Sequence, residues 1–209
     1  MTSILVVDDH QIVRAGIRSL LAHYDDFTVA GEASSGNDAL EMVRKREWGI
    51  VLLDISMPST HGLDILKQIK RQKPALPVLI YTMHPEECYA INLMRAGASG
   101  YLCKVCSPEQ LVIAIRTVVS GRRYVSPTLG EHLAGQLKGD SQLPPHTQLS
   151  ELEFQIFCKL AIGQALTSIA DELLLSVKTV SIYRSRILET MNLGTNGKLM
   201  YYAIKHGLV

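Results

Sequence analysis

The stretch LLDISMP, residues 52–58, ends a run of apolar residues on a single acid, Asp54, and then turns at Met57 and Pro58. A segment that reads as a buried strand and finishes on a carboxylate calls for a reason. ILVVDDH, residues 4–10, repeats the pattern with the acid pair Asp8 and Asp9. Two apolar runs that finish on acids raise the question of whether the acids meet.

Outward from these two stretches, short apolar runs alternate with helix-like segments as far as Gly121. Strands are expected at 4–7, 27–30, 50–53, 78–81 and 100–102. Helices are expected near 12–21, 38–46, 62–71, 86–95 and 108–120, where apolar residues recur at three- and four-residue steps, as burial of one face requires. Strands alternating with helices predict an α/β domain, a flavodoxin-like five-stranded parallel sheet covered on both faces. In the flavodoxin-like order the first and third strands are neighbours, and ligands bind outside the carboxyl ends of the strands.

After Gly121 the rhythm changes. Residues 122–147 read as a linker, with one short helix ending near Gly139 and then the polar, proline-paired GDSQLPPHTQ, which cannot continue a helix. Residues 148–209 show no strand and read as a small all-α domain with helices near 151–162, 166–173, 176–191 and 196–206. Ser150 and Ser176 are N-cap candidates, and Gly163, Gly194 and Gly207 are terminators.

The 209-residue chain is 47% apolar, enough for packed cores. Its formal net charge of +1 carries no nucleic-acid signal by itself, so any such claim rests on local placement. Asp8 and Asp9 cut short what would be a secretory signal. No apolar run is long enough to span a bilayer. Cys88, Cys103, Cys106 and Cys158 do not form a secreted disulfide framework. The expectation is a soluble, reduced, cytoplasmic protein without a membrane partner.

If the first and third strands adjoin, Asp8, Asp9 and Asp54 converge, with Thr82 ending the fourth strand and Lys104 following the fifth. Three packed carboxylates repel one another unless a cation offsets them, and Mg²⁺ suits a few carboxylates plus waters. With the ion bound, ionised Asp54 can attack phosphorus and become an aspartyl phosphate, with Lys104 and Thr82 holding the transferred oxygens. Asp and Thr also end strands for turn-forming reasons alone, and any one of these residues has that simpler explanation. The combination at successive strand ends points to phosphoryl acceptance.

ILVVDDH, LLDISMP, LIYTMH and GYLCK resemble the signature segments of the receiver domain of two-component response regulators, over residues 1–121. The resemblance implies that Asp54 is the phosphorylation site, that Asp8 and Asp9 serve the metal, and that Thr82 and Lys104 bind the phosphoryl group. It further implies that Ser56 lends the metal its backbone carbonyl, and that Tyr101 is the aromatic that changes rotamer on activation. The implied partners are a histidine kinase as phosphodonor and a second copy of the chain when phosphorylated.

In TSIADELLLSVKTVSIYRSRILETMNL a short helix leads through LLLS to a longer one, the helix-turn-helix arrangement whose second helix enters the major groove of DNA. Val180, Ile187 and Leu188 are expected in the core. Lys178, Thr179, Ser181, Ile182, Arg184, Ser185 and Arg186 are left to the outer surface, where cations and hydroxyls meet phosphates and base edges. Tyr183 and Ile182 could make apolar contacts to thymine methyls or sugars in place of charge. LSELEFQIF, IADELLLSVKTV and YAIKHGLV resemble the LuxR-type domain of the NarL/FixJ subfamily. The resemblance implies double-stranded DNA as partner and the last helix as a dimer surface. Ser150-Glu151-Leu152-Glu153 stands where that family usually has Thr-x-Arg-Glu, and six basic against five acidic residues from Leu149 onward leave this domain nearly neutral.

The reading is a Mg²⁺-dependent phosphoacceptor that regulates transcription and is not an enzyme. Its rivals are a phospho-gated protein-interaction module with a degenerate helix-turn-helix, and an aspartate-nucleophile phosphatase, against which Ser56 stands where such enzymes place a second acid. The Cys103/Cys106 spacing lacks a second ligand pair and reads as ordinary small residues. His10, His61 and His84 follow strand ends near the acids, but Mg²⁺ chemistry needs no imidazole.

Overall fold

A computed structural model of the chain describes residues 1–57, 62–84, 86–126, 129–130, 144–206 and 208. The chain forms two compact units, residues 1–138 and 139–209.

In the first unit β1 (Thr2–Val7), α1 (Gln11–Leu21), β2 (Phe27–Ala33), α2 (Gly36–Lys45) and β3 (Ile50–Leu53) are followed by α3 (Gly62–Gln72), β4 (Val78–Thr82), α4 (Glu86–Arg95), β5 (Gly100–Cys103) and α5 (Pro108–Val119). All strand pairs are parallel and the order is β2-β1-β3-β4-β5, the expected flavodoxin-like arrangement. The central strands are apolar on both faces because helices cover both. On one face Ile4, Val6, Ile50, Leu52 and Leu79 pack against Ile17 and Leu21 of α1 and Leu111, Ile115 and Val118 of α5. Each of these side chains contributes about 1.5–3 kcal/mol by leaving water. β2, β4 and β5 run on to Ala33, Thr82 and Cys103, past the ends the apolar runs suggested, and α2 begins at Gly36, where Ser35 caps it by accepting the Asp38 N–H.

The second unit opens with a 3-10 turn (Pro145–Gln148) and continues through α6 (Glu151–Ala161), α7 (Leu166–Glu172), α8 (Val177–Thr190) and α9 (Asn196–Lys205). Phe154, Ile156, Phe157, Ile169, Val180, Ile187, Leu199 and Ala203 form its core. Leu188, expected there, is only half-buried. Ser150 and Ser176 cap α6 and α8 as expected, and Glu153 completes a capping box with Ser150, each orphan amide finding an oxygen. Gly163 ends α6 at φ +83. Gly194, expected to end α8, does not: Asn192 takes the left-handed position at φ +53, a conformation its short polar side chain tolerates. Gly207, and most of the short helix expected before Gly139, lie outside the described residues. Among the described residues no helix is long and apolar enough to cross a membrane.

The turn between α7 and α8 holds Leu174 at φ +54 with its side chain 83% exposed. A left-handed leucine costs about 1–2 kcal/mol, and glycine would surrender part of that gain through its freer unfolded chain. Leu174→Gly is expected to stabilise the helical unit by about 0.5–1 kcal/mol, seen as a higher urea midpoint. A lower midpoint would mean that the exposed leucine is held by contacts stronger than its backbone strain.

Candidate functional site

Strand register brings the acids together. Val7 of β1 pairs with Leu53 of β3, so the next residues, Asp8 and Asp54, leave the sheet side by side. The Asp54 N–H donates to Val7 O at 2.9 Å and the Asp8 N–H to Ala33 O at 3.1 Å, which fixes both main chains at the sheet rim. Gly62 lets α3 begin close by, since a Cβ there would lie 2.4 Å from Ile55 Cα.

From the far side of β4, Lys104 reaches both acids. Its Nζ is 2.6 Å from Asp54 Oδ2 and 2.6 Å from Asp8 Oδ2, with the acid side chains 2% exposed. The Lys104 N–H donates to Thr82 O at 2.7 Å, which ties the loop after β5 to the end of β4. Burial pushes the Asp54 carboxyl up, but the Lys104 and Ser56 hydrogen bonds, the Lys104 charge and Thr82 outweigh it and hold Asp54 below the ordinary carboxylate value. Burial pushes the Lys104 ammonium down, and its bonds and charge interactions with Asp54 and Asp8 outweigh that and raise it. Both groups are therefore charged at neutral pH. The Thr82 and Ser56 hydroxyls share a 3.0 Å hydrogen bond, and the Ser56 N–H donates to Asp54 Oδ1 at 3.0 Å.

Asp9 and His10 complete the rim. The His10 Nδ1 lies 2.9 Å from Asp9 Oδ1 and 3.3 Å from Asp8 Oδ1. Asp9 Oδ1 is out of solvent and has no well-aligned hydrogen-bond donor, despite that close imidazole. Donor atoms of Asp8, Asp9, His10 and Asp54 all lie within 4.8 Å of one another. Three carboxylates face one ammonium, one acid oxygen lacks a donor, and oxygen predominates, so the donor set fits a small dication.

Sequence reasoning did not find Arg14. Its Nη1 donates to the Asp8 carbonyl at 2.7 Å while its Nε donates to Glu32 Oε2 at 3.2 Å, so β2 braces the acid loop through one guanidinium. Its place four residues after His10 was the available signal, but the partner Glu32 is supplied by the fold. Tyr101 is buried and its hydroxyl donates to His84 O at 2.9 Å. Burial pushes the His84 imidazole down, against the pull of Asp54. The Cys103 thiol points to Met83 O at 3.7 Å, whereas Cys106 packs with Tyr81 in the α1/α5 cluster. The two sulfurs thus serve different surroundings. His61 lies outside the described residues.

On α8, Lys178 is exposed, Ile182 is 61% exposed, and Thr179, Ser181 and Tyr183 are half-buried. Arg184, expected on the outer surface, is instead half-buried, and its Nε donates to Asn196 Oδ1 at 2.7 Å. Arg186 is exposed but pairs with Glu153 Oε1 at 3.1 Å. Two of the three expected cations are therefore engaged within the helical unit.

The Lys104 pair has a defined pH signature. The lowered Asp54 contributes stability that is present above the ordinary carboxylate value and lost as pH falls through its folded value. The raised Lys104 contributes stability that is present below the ordinary lysine value and lost as pH rises through its folded value. Lys104→Met leaves two unneutralised buried acids and is expected to cost about 3 kcal/mol at neutral pH. Urea unfolding should show that deficit shrinking at acid pH, as a carboxyl protonates, and shrinking again when Mg²⁺ is added. A deficit indifferent to both would mean that only the lysine's methylene packing matters.

Residues 4–116 match the family described as Response regulator receiver domain, and residues 147–203 match Bacterial regulatory proteins, luxR family. The chain is 39% identical over 209 residues to Response regulator UvrY of Escherichia coli (strain K12), covering 100% of this chain and 96% of that protein. It is 38% identical over 210 residues to Response regulator GacA of Pseudomonas aeruginosa, covering 100% and 98%. In fold it is similar to RcsB from Salmonella enterica serovar Typhimurium, solved bound to promoter rprA in the presence of phosphomimetic BeF3-. That likeness has a TM-score of 0.66 and covers 97% of this chain and 98% of that one at 24% identity. The acid pocket at the rim of a parallel sheet, followed by a helix-turn-helix, thus belongs to a two-component response regulator of the NarL/FixJ subfamily, with a receiver domain and a LuxR-type DNA-binding domain.

Proposed function

We propose that residues 1–121 accept a phosphoryl group on Asp54 from a histidine kinase or a small phosphodonor, and that this controls dimerisation and DNA binding by residues 148–209, joined through a linker at 122–147. The observation that carries the reading is the ionised, buried Asp54 carboxylate flanked by the Lys104 ammonium and the Thr82 hydroxyl. Asp8, Asp9, Asp54 and the Ser56 backbone carbonyl would hold Mg²⁺, which when bound supplies positive charge to the transferred oxygens. Asp54 forms the new P–O bond as the bond to the donor's leaving group breaks. Lys104 then moves from the carboxylate to a phosphoryl oxygen, and Thr82 exchanges its Ser56 bond for another. The chemistry ends at one covalent transfer per chain, in a cytoplasmic phosphoprotein rather than a turnover enzyme.

The added charge of about −1.5 to −2 is read by Thr82 and by Tyr101, which exchanges its bond to the His84 carbonyl for a new rotamer. The face of α4 and α5 changes accordingly and favours a dimer. Two recognition helices then reach half-sites about 34 Å apart, one turn of DNA. Lys178, Thr179, Ser181 and Arg186 meet phosphates and base edges. Ile182 and Tyr183 make apolar contacts, and Arg184 holds α8 against α9. The engaged arginines favour one rival, a phospho-gated protein-interaction module, and DNA capture separates the two.

Genomic fragments captured by the purified protein, with and without Mg²⁺ and a phosphodonor, test the reading. Enrichment of particular fragments should rise with phosphodonor in the natural protein and not in Asp54→Asn. Enrichment that ignores phosphodonor would remove the switch, and no enrichment at all would leave the protein-interaction module. On a captured fragment Lys178→Ala should reduce the salt slope of binding by about 1 per bound domain. An unchanged slope would remove Lys178 from the phosphate contacts.

A further inference from the structure

We propose that the cleft at the amino ends of β4 and β5 is a binding site for a small phosphate-bearing molecule, held by Lys70, Ser99, Arg122 and Arg123. It lies at the opposite end of the sheet from Asp54 and stands independently of the phosphoacceptor reading.

Pro77 and Ser99, the residues just before β4 and β5, both line this cleft. α3 contributes Lys70, and the chain leaving α5 contributes Arg122 and Arg123. The cleft has a volume of about 470 Å³, and no acid is among the described residues that line it. Lys70 is half-buried, and its Nζ donates to Leu76 O at 2.6 Å and to Pro74 O at 3.4 Å, which leaves one of its three N–H donors. Gly97 has φ +105, and a Cβ there would lie 3.2 Å from Lys70 Cγ, so the bare glycine lets the lysine stem lie against the turn before β5.

Surface cations ordinarily stand apart in water, whereas here one is drawn half out of it and two more share its cleft. Burial, and then the Arg123 charge, press the Lys70 ammonium below its ordinary value, a strain that an anion between them would relieve. Arg123 is exposed and makes no hydrogen bond or ion pair among the described residues. Arg122 uses only its Nε, on Ser120 Oγ at 3.2 Å. Ser99 Oγ accepts the Val78 N–H at 3.3 Å, and its own proton remains to be donated. Guanidinium forks match phosphate oxygens, and a phosphate ester carries about −1.5 to −2 at neutral pH, closer to the charge of this set than one carboxylate is. Clefts for small ligands run to about 300–1,000 Å³, so there is room for a body beside the phosphate, against Pro74, Pro77 and Ala96. Arg122 and Arg123 begin the linker, and an occupied cleft fastens that start to α3.

Amide NMR spectra of the full-length protein, followed as pyrophosphate is added with EDTA present, test this away from the acid pocket. The Gly97, Ser99 and Gly121 amides should shift and saturate, and sodium chloride at equal ionic strength should not reproduce the shifts. Arg123→Gln should weaken the binding by about 10-fold, the loss of one hydrogen bond to a charged group. Arg44→Gln, the same charge change on an exposed position of α2, should leave it unaltered, and the rest of each spectrum reports that the variant is folded. Absence of saturating shifts at these amides, or equal binding by Arg123→Gln, would overturn the inference. A response of the same amides to a DNA duplex without one to pyrophosphate would overturn it in favour of a nucleic-acid contact.

Discussion

One buried ammonium holds two carboxylates that have come out of water, and the receiver's geometry depends on that bond. Lys104 spans from the end of β5 past β4 to the ends of β3 and β1, so four of the five strands have a stake in its position. Withdrawing charges from water costs several kcal/mol per ion, and mutual attraction repays it only with good geometry and further hydrogen bonds. The Ser56 N–H on Asp54, the His10 N–H on Asp8 and the Arg14 guanidinium on the Asp8 carbonyl supply those bonds. One ammonium against three acids leaves the pocket short of positive charge. The arrangement that Lys104 stabilises therefore keeps an excess of negative charge at the rim of the sheet.

The receiver was legible because its signals are local. Strand period, helix period and the acids at strand ends are all written within stretches of a few residues, and the flavodoxin-like order follows once those stretches alternate. Arg14 was not legible, because its meaning comes from Glu32 on a neighbouring strand. Asn192 in place of Gly194 was missed for a related reason. Both residues suit a helix end, and the length of α8, set by packing of Ile187 and Met191, decides which one stands at the turn. Arg184 and Arg186 read as outward cations from helical spacing, and their partners Asn196 and Glu153 lie on other helices.

The helical unit shows how a nearly neutral domain keeps α8 in place. Glu153 closes the Ser150 capping box with one oxygen and meets Arg186 with the other. The helix start that holds α6 thus also anchors α8, and Arg184 anchors it again to the start of α9. Arg186 stays exposed beside Glu153, whereas Arg184 is half-buried against the start of α9. The exposed residues of α8 include Lys178 in its first turn and the apolar Ile182 one turn on.

Tyr101 sits where the pocket and the departing chain meet. Its hydroxyl is bound to the His84 carbonyl, two residues beyond Thr82, and its own N–H donates to Tyr124 O at 3.2 Å, on the segment that follows α5. The Tyr124 N–H returns a bond to Ser99 O at 3.0 Å, and the Ser126 hydroxyl donates to Glu86 at the start of α4. The segment leaving the receiver is thereby laid along the edge of β5 and fastened to the helix that begins just after the loop Thr82 leads into. A side chain at full burial cannot change rotamer without moving its neighbours, because a packed interior shifts between discrete arrangements rather than stretching. Two of the neighbours of Tyr101 are the His84 loop and the Tyr124 segment, so the pocket side of β4 and residues 124–126 are held to one buried ring through bonds already made.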